Sequence, residues 1–133
     1  MQNCEELPSD ALLLAISQFN NRNWFECHET LEDLWMGEHG GMRDFYQGIL
    51  QISVAMHHWK NGNFDGAISL LKGGVVYLIN VQPVCRQVDV ADFIAAANRV
   101  RDALAGLGKN RMPELEPSLI PRLQMVPAVT NKE

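Results

Sequence analysis

The sequence predicts an all-α fold, a single-domain bundle of about five helices built from two antiparallel helical hairpins and followed by an extended proline-rich C-terminal arm. Three observations predict it. Apolar residues recur at three- and four-residue spacing along successive stretches, and asparagine- and glycine-rich breaks separate those stretches. Near the end, Pro113, Pro117, Pro121 and Pro127 forbid a long helix. The 133 residues fit one bundle domain over residues 1–110 and an arm over 111–133.

The first helix starts after Ser9, a hydrogen-bonding cap, and carries Leu12, Leu13, Ile16 and Phe19 before the polar break Asn20-Asn21-Arg22-Asn23. Asn23 opens a second helix that runs to about Met36, where Gly37 and Gly40-Gly41 end it. The third, from about Met42 to Lys60, includes a stretch from Phe45 to Met56 without one charge, so neighbours should wrap it on most sides. Asn61-Gly62-Asn63 ends it and opens the fourth, Phe64 to about Val81, which Pro83 stops. Asp89 caps a fifth, with an apolar stripe of Val90, Phe93, Ile94, Ala97, Val100, Leu104 and Leu107, ending at Gly106 to Gly108. In the arm, Leu115, Leu119, Ile120 and Leu123 are too apolar for a plain disordered tail, so it should lie on the bundle or on a partner subunit.

An internal correspondence links Asn21-Arg22-Asn23-Trp24 with Asn61-Gly62-Asn63-Phe64. It resembles the hairpins of tetratricopeptide arrays, but two copies fall short of the roughly three such solenoids need, so a compact bundle is expected.

A net charge of −5 without a basic run gives no footprint for phosphate backbones, which argues against nucleic acid as partner. No apolar run approaches the ~18 to 20 residues of a membrane span, and the N-terminus lacks the build of a secretory signal. No membrane association and a cytoplasmic location are the resulting expectations. Cys4, Cys27 and Cys85, odd in number and widely spaced, are expected to be reduced thiols.

The densest chemistry lies in Asn23 to Trp35, which contains the His-Glu-x-x-Glu cluster His28, Glu29 and Glu32. At about 100 degrees per residue, His28 and Glu32 fall inside the apolar arc, walled by Trp24 and Trp35 on one side and by Phe25 and Met36 on the other. Glu29 lies at the border, while Glu26, Thr30 and Asp33 face solvent. The same projection of the third helix aligns Arg43, Gln47, Gln51, Val54 and His58 in a stripe expected to face His28 and Glu32. Buried polar groups need partners, so one reading is a structural network of His28, Glu32, Gln47 and Gln51. A second takes His28, Glu32 and His58, with Glu29 nearby, as ligands of a divalent metal. A third makes the histidine a general base beside a carboxylate, with the tryptophans walling a small ligand. The motif lacks the second helical imidazole of the metalloprotease pattern, and protease activity is not inferred from it.

The motifs Asn23-x-Phe25-Glu26-x-His28-Glu29-x-Leu31-Glu32-x-Leu34-Trp35, Tyr46-Gln47-Gly48-Ile49-Leu50-Gln51, His58 and Gly62-Asn63-x-x-Gly66-Ala67 resemble the family labelled domain of unknown function 309, small helical proteins of bacteria and archaea. The resemblance spans about Phe19 to Leu78. It implies a helical bundle and no established activity, substrate or cofactor. His57 departs from it, standing where the family usually carries an aromatic residue. The functional expectation is a binding or protein-interaction module with a His/Glu/Gln polar cluster, with partner contact or self-association through the arm. The alternative is a metal-dependent or general-base, hydrolase-like enzyme using His28, Glu32 and His58.

Overall fold

The computed structural model describes residues 4–127. Five helices dominate: α1 (Asp10–Asn20), α2 (Trp24–Met36), α3 (Gly41–Lys60), α4 (Phe64–Leu78) and α5 (Val90–Leu107). The caps follow from the residues that open them. Ser9 Oγ accepts the Leu12 N–H, Asn63 Oδ1 the Gly66 N–H and Asp89 Oδ1 the Asp92 N–H, each satisfying an orphan donor of a first turn. Asn23 opens α2 without a side-chain cap bond.

The two interhelical turns that share Asn-x-Asn are built alike. Arg22 and Gly62 both adopt left-handed backbone, with φ of 64° and 79°. The N–H groups of Asn23 and Asn63 reach back to the carbonyls of Gln18 and His58. Glycine takes this conformation at no steric cost, whereas Arg22 takes it because the flanking helices fix the turn.

α3 packs on α2 along one flank and on α4 along the other, while α1 packs on α2 and α5 on α4. Phe45, Ile49, Ile52 and Met56 of α3 are fully buried, and Phe19 of α1 meets Phe93 of α5 edge to face at 5.2 Å, which closes the core beneath α3. α3 and α4 approach most closely at two glycines. A Cβ on Gly48 would stand 2.5 Å from Leu78 Cγ, and one on Gly74 would stand 2.8 Å from the Gly48 carbonyl oxygen.

Phe64–Val81, 18 residues at mean hydropathy 1.3, is long and apolar enough for a span by length and composition, although Asp65 and Lys72 interrupt it. Core helices meet the same criterion. Here the stretch is α4 plus a 3₁₀ turn at Ile79–Val81, and it buries Ala67, Leu71, Gly74, Val75 and Leu78 in the bundle.

Between α4 and α5 the sequence reading found only a proline stop. The chain makes a small antiparallel hairpin there, β1 (Val84–Cys85) and β2 (Val88–Asp89). Arg86 and Gln87 form its turn with φ of 51° and 65°, the left-handed pair of a tight hairpin turn. Cys85 is joined to Cys4 by a disulfide across a sequence separation of 81, and this corrects the reading of all three cysteines as reduced. An odd count leaves one thiol over; it does not stop two others from pairing when the N-terminal segment folds back. The Arg86 N–H donates to the Cys4 carbonyl at 2.6 Å. Its guanidinium, almost wholly buried, donates to Tyr46 Oη at 3.2 Å and pairs with Glu6 at 3.2 Å and Glu38 at 4.0 Å. Burial pushes the Tyr46 hydroxyl up in pKa, against the opposing pull of Arg86.

After α5 the chain passes through 3₁₀ turns at Lys109–Glu114 and Pro117–Leu119 and lies along its own bundle. Met112, Leu115 and Leu123 are buried. The Trp59 indole N–H donates to the Met112 carbonyl at 2.9 Å, and Asn20 exchanges two hydrogen bonds with the backbone of Leu123. Val88 bridges to Met125, and the Val126 N–H donates to the Gln87 carbonyl. Residues 1–3 and 128–133, the last part of the expected arm, lie outside the described residues.

The remaining thiol, Cys27, is fully buried, donates to the Ala15 carbonyl at 3.2 Å and meets Ser53 Oγ at 3.4 Å. Burial pushes its pKa up to about 11 from 9.0, with the Ser53 contact pulling weakly the other way. Below pH 9 the thiol is protonated whether the chain is folded or not. Between pH 9 and about 11 only the unfolded chain ionises readily, so stability falls as pH rises through that window. Urea midpoints between pH 8 and 11 should drop by the equivalent of about 2 kcal/mol more in the wild type than in Cys27→Ala. Parallel profiles would contradict the assignment.

Candidate binding groove on α2 and α3

The half-buried strip of α3 comprises Arg43, Gln47, Leu50, Gln51, Val54, His57 and His58, opposite its buried face. The expected stripe therefore exists, but it is wider than predicted and divides between two neighbours. Its α2 margin meets the candidate residues of α2 in two places, and its α4 margin turns away from them.

At one end, Glu32 and Trp35 of α2, Gly40, Arg43, Asp44, Gln47 and Leu50 of α3 and its approach, and Tyr77 of α4 line a hollow of about 490 Å³. That volume falls within the ~300–1,000 Å³ of small-ligand sites. The Arg43 guanidinium lies over Trp35, with Cζ 3.7 Å from the ring centroid. Its buried Nε has no hydrogen-bond partner, and no described carboxylate pairs with its guanidinium. Asp44, next in sequence, instead accepts from Asn80 Nδ2 at 3.1 Å. An arginine stacked on an indole is held at its face and leaves its N–H edge to recognise a planar oxygen pair.

At the other end, Trp24, Phe25, His28, Val54 and His57 line a smaller hollow of about 110 Å³. Phe25 stacks obliquely on both imidazoles, 5.7 Å from His28 and 5.6 Å from His57 between centroids. His57 also contacts Asn61 Nδ2 through Nε2 at 3.1 Å. This hollow is apolar apart from its two imidazole edges. Trp24, 2% exposed, packs on Phe19 and Trp59 and supports the hollow from below.

The predicted cluster is thus partly assembled and partly dispersed. Glu32 and Gln47 share the larger hollow, and His28 lies in the smaller one with Phe25 and Trp24 as walls. Glu29 is exposed on the rim. Gln51 turns to α4, where its Oε1 occupies the space a Cβ on Gly73 would need. His58 also faces α4: its Nδ1 meets Asn63 Nδ2 at 3.2 Å and its ring lies against Gly66. His28, Glu32 and His58 therefore do not converge, and among the described residues no three His, Cys, Asp or Glu side chains gather where they could hold an ion. The reason is rotational. His58 sits on the α4 margin of the strip, about 100 degrees from His57, and it is His57 that reaches α2. Sequence reasoning passed over Arg43 as a binding group and His57 as the partner of His28. The signal was present in the projection, where Arg43, Leu50 and His57 line up on the α2 side.

Two uncharacterized proteins are similar to this chain. One, from Aquifex aeolicus (strain VF5), is 23% identical over 94 residues, covering 68% of this chain and 28% of that protein. The other, YpuF of Bacillus subtilis (strain 168), is 34% identical over 55 residues, covering 41% of this chain and 32% of its own length. The chain spans about a third or less of the length of these relatives. Residues 12–70, which carry most of α1, all of α2 and α3 and the first half of α4 and so both walls of the groove, match the family model described as Domain of unknown function (DUF309).

Proposed function

We propose that the chain is a binding module whose recognition surface is the groove on α2 and α3, with Arg43 as the group that selects a carboxylate. The observation that carries this reading is the Arg43 guanidinium, stacked on Trp35 at the wall of a 490 Å³ hollow and without a carboxylate of its own. An arginine with no carboxylate partner among the described residues can take one from a ligand through a charge-assisted, bidentate pair. The site offers one cation, an amide at Gln47, a phenol at Tyr77 and apolar walls at Trp35 and Leu50; of its two carboxylates, Asp44 is engaged by Asn80 and Glu32 stands exposed at the α2 edge. These groups suit holding and orienting a ligand; none is a paired nucleophile and base.

Titration with benzoate, a planar carboxylate with an apolar ring, is the direct test. The Trp35 indole N–H resonance should shift at millimolar benzoate, a range corresponding to about 4 kcal/mol of binding. Arg43→Met, which keeps the stem over Trp35 but removes the fork, should abolish the shift while leaving the helical circular dichroism unchanged. A shift that persists in Arg43→Met, or no shift in the wild type, would count against the reading.

A further inference from the structure

Four lining positions of the smaller hollow recur in the larger one, displaced by seven residues on each helix. On α2, Phe25 and His28 line the smaller hollow, and Glu32 and Trp35, each seven residues on, line the larger. On α3, which runs the other way, Val54 and His57 correspond to Gln47 and Leu50; Arg43 stands a further heptad along α3, and it is its guanidinium over Trp35, seven residues from His28 on α2, that falls one heptad from the smaller hollow. A seven-residue repeat on two antiparallel helices is the surface against which a third helix packs with side chains in register, since that repeat keeps one seam facing the partner. Seven residues of helix rise about 10.5 Å, so the two hollows receive side chains one heptad apart.

Resting on the binding-groove reading above, we infer that the groove takes an amphipathic helix of a partner protein carrying an aliphatic side chain and a carboxylate seven residues apart. The aliphatic group enters the smaller hollow. A cavity of about 150 Å³ accepts a benzene ring, so the 110 Å³ between Phe25, His28, Val54 and His57 accepts one branched aliphatic side chain. The carboxylate meets the free edge of the Arg43 guanidinium above Trp35, where a bidentate pair forms without moving the stacked arginine. Glu29 and Glu32 make the α2 rim acidic, which favours lysine at the flanking positions of the partner. Phe25, 49% exposed, and Met36, 66% exposed, extend the apolar edge along α2 at both ends of the seam. Helix-in-groove recognition reads anchors at this spacing.

Alanine- and lysine-rich helical peptides with leucine and glutamate at i and i+7, made in both orders and labelled for fluorescence anisotropy, test the inference. At least one order should bind about tenfold or more tightly than a peptide with the same residues at i and i+5, which puts them on different helix faces. Replacing the peptide glutamate with glutamine, or Arg43 with Met, should weaken binding about tenfold. Phe25→Ala should weaken the peptide by a similar factor and leave benzoate binding intact, because Phe25 touches only the smaller hollow. Equal binding of the i+7 and i+5 peptides overturns the inference. If benzoate still shifts Trp35 while neither peptide order binds, the helix partner is excluded and the groove reading stands; if benzoate also fails, both fall. A concentration-dependent dimer of the wild type that Arg43→Met dissolves would assign the groove to a second copy of this chain and overturn the partner helix.

Discussion

Reduction of the Cys4–Cys85 disulfide is expected to lower the unfolding free energy by about 2–4 kcal/mol. The bond closes a loop with a sequence separation of 81, and the entropy such a loop removes from the unfolded chain sets an upper value of about 4.5 kcal/mol. Contacts that survive reduction hold the loss below that value. The Arg86 N–H still donates to the Cys4 carbonyl, and its guanidinium still pairs with Glu6. Urea unfolding with and without dithiothreitol measures the difference directly. The midpoint should fall on reduction in the wild type and should not respond to reductant in a Cys4→Ser, Cys85→Ser double variant. A midpoint in the wild type that ignores the reductant would show that the bond contributes nothing to the folded state.

Substitution of Gly74 by alanine is expected to cost about 2–3 kcal/mol, although alanine is the better helix former by about 1 kcal/mol. The new methyl would stand 2.8 Å from the Gly48 carbonyl oxygen and 2.6 Å from Ile52 Cγ1. A backbone carbonyl cannot swing aside, so α3 and α4 must separate. Gly48→Ala meets the side chain of Leu78 first, at 2.5 Å, and part of its cost is recovered if that leucine changes rotamer. Gly106 is the control: nothing stands within 4 Å of its Cβ position, and Gly106→Ala in the last turn of α5 should stabilise by about 0.5–1 kcal/mol. Thermal unfolding of the three variants orders them. Equal effects at Gly74 and Gly106 would show that backbone propensity, not helix approach, governs these positions.

The helices were legible because each carries its own punctuation. Ser9, Asn63 and Asp89 act as the caps their residue types promise, and the shared Asn-x-Asn turns are alike down to the backbone bonds that close them. The hairpin at Val84–Asp89 was not legible for a converse reason. Its left-handed turn residues are Arg86 and Gln87, where sequence reasoning looks for asparagine and glycine, and what holds them is tertiary: a disulfide and a buried guanidinium. The groove falls between these cases. Projection put Glu32 and Phe25 at an apolar arc, whereas the structure leaves both exposed at the edges of the two hollows, and one helix cannot report how its strip is shared between two neighbours. That sharing sends His58 and Gln51 to α4 and brings His57 to His28.

The hairpin also decides how load would pass through the molecule. Residues near both ends of the described chain attach to it: Cys4 to Cys85 and Arg86, and Gln124, Met125 and Val126 to Gln87, Val88 and Asp89. Tension applied at the two ends meets at this one small sheet before it reaches any helix. The N-terminal side is covalent and holds, whereas the C-terminal strand is secured by single backbone hydrogen bonds that open one after another. Extension therefore begins by peeling residues 124–126 from β2, and the groove on α2 and α3 keeps its shape while the anchor yields.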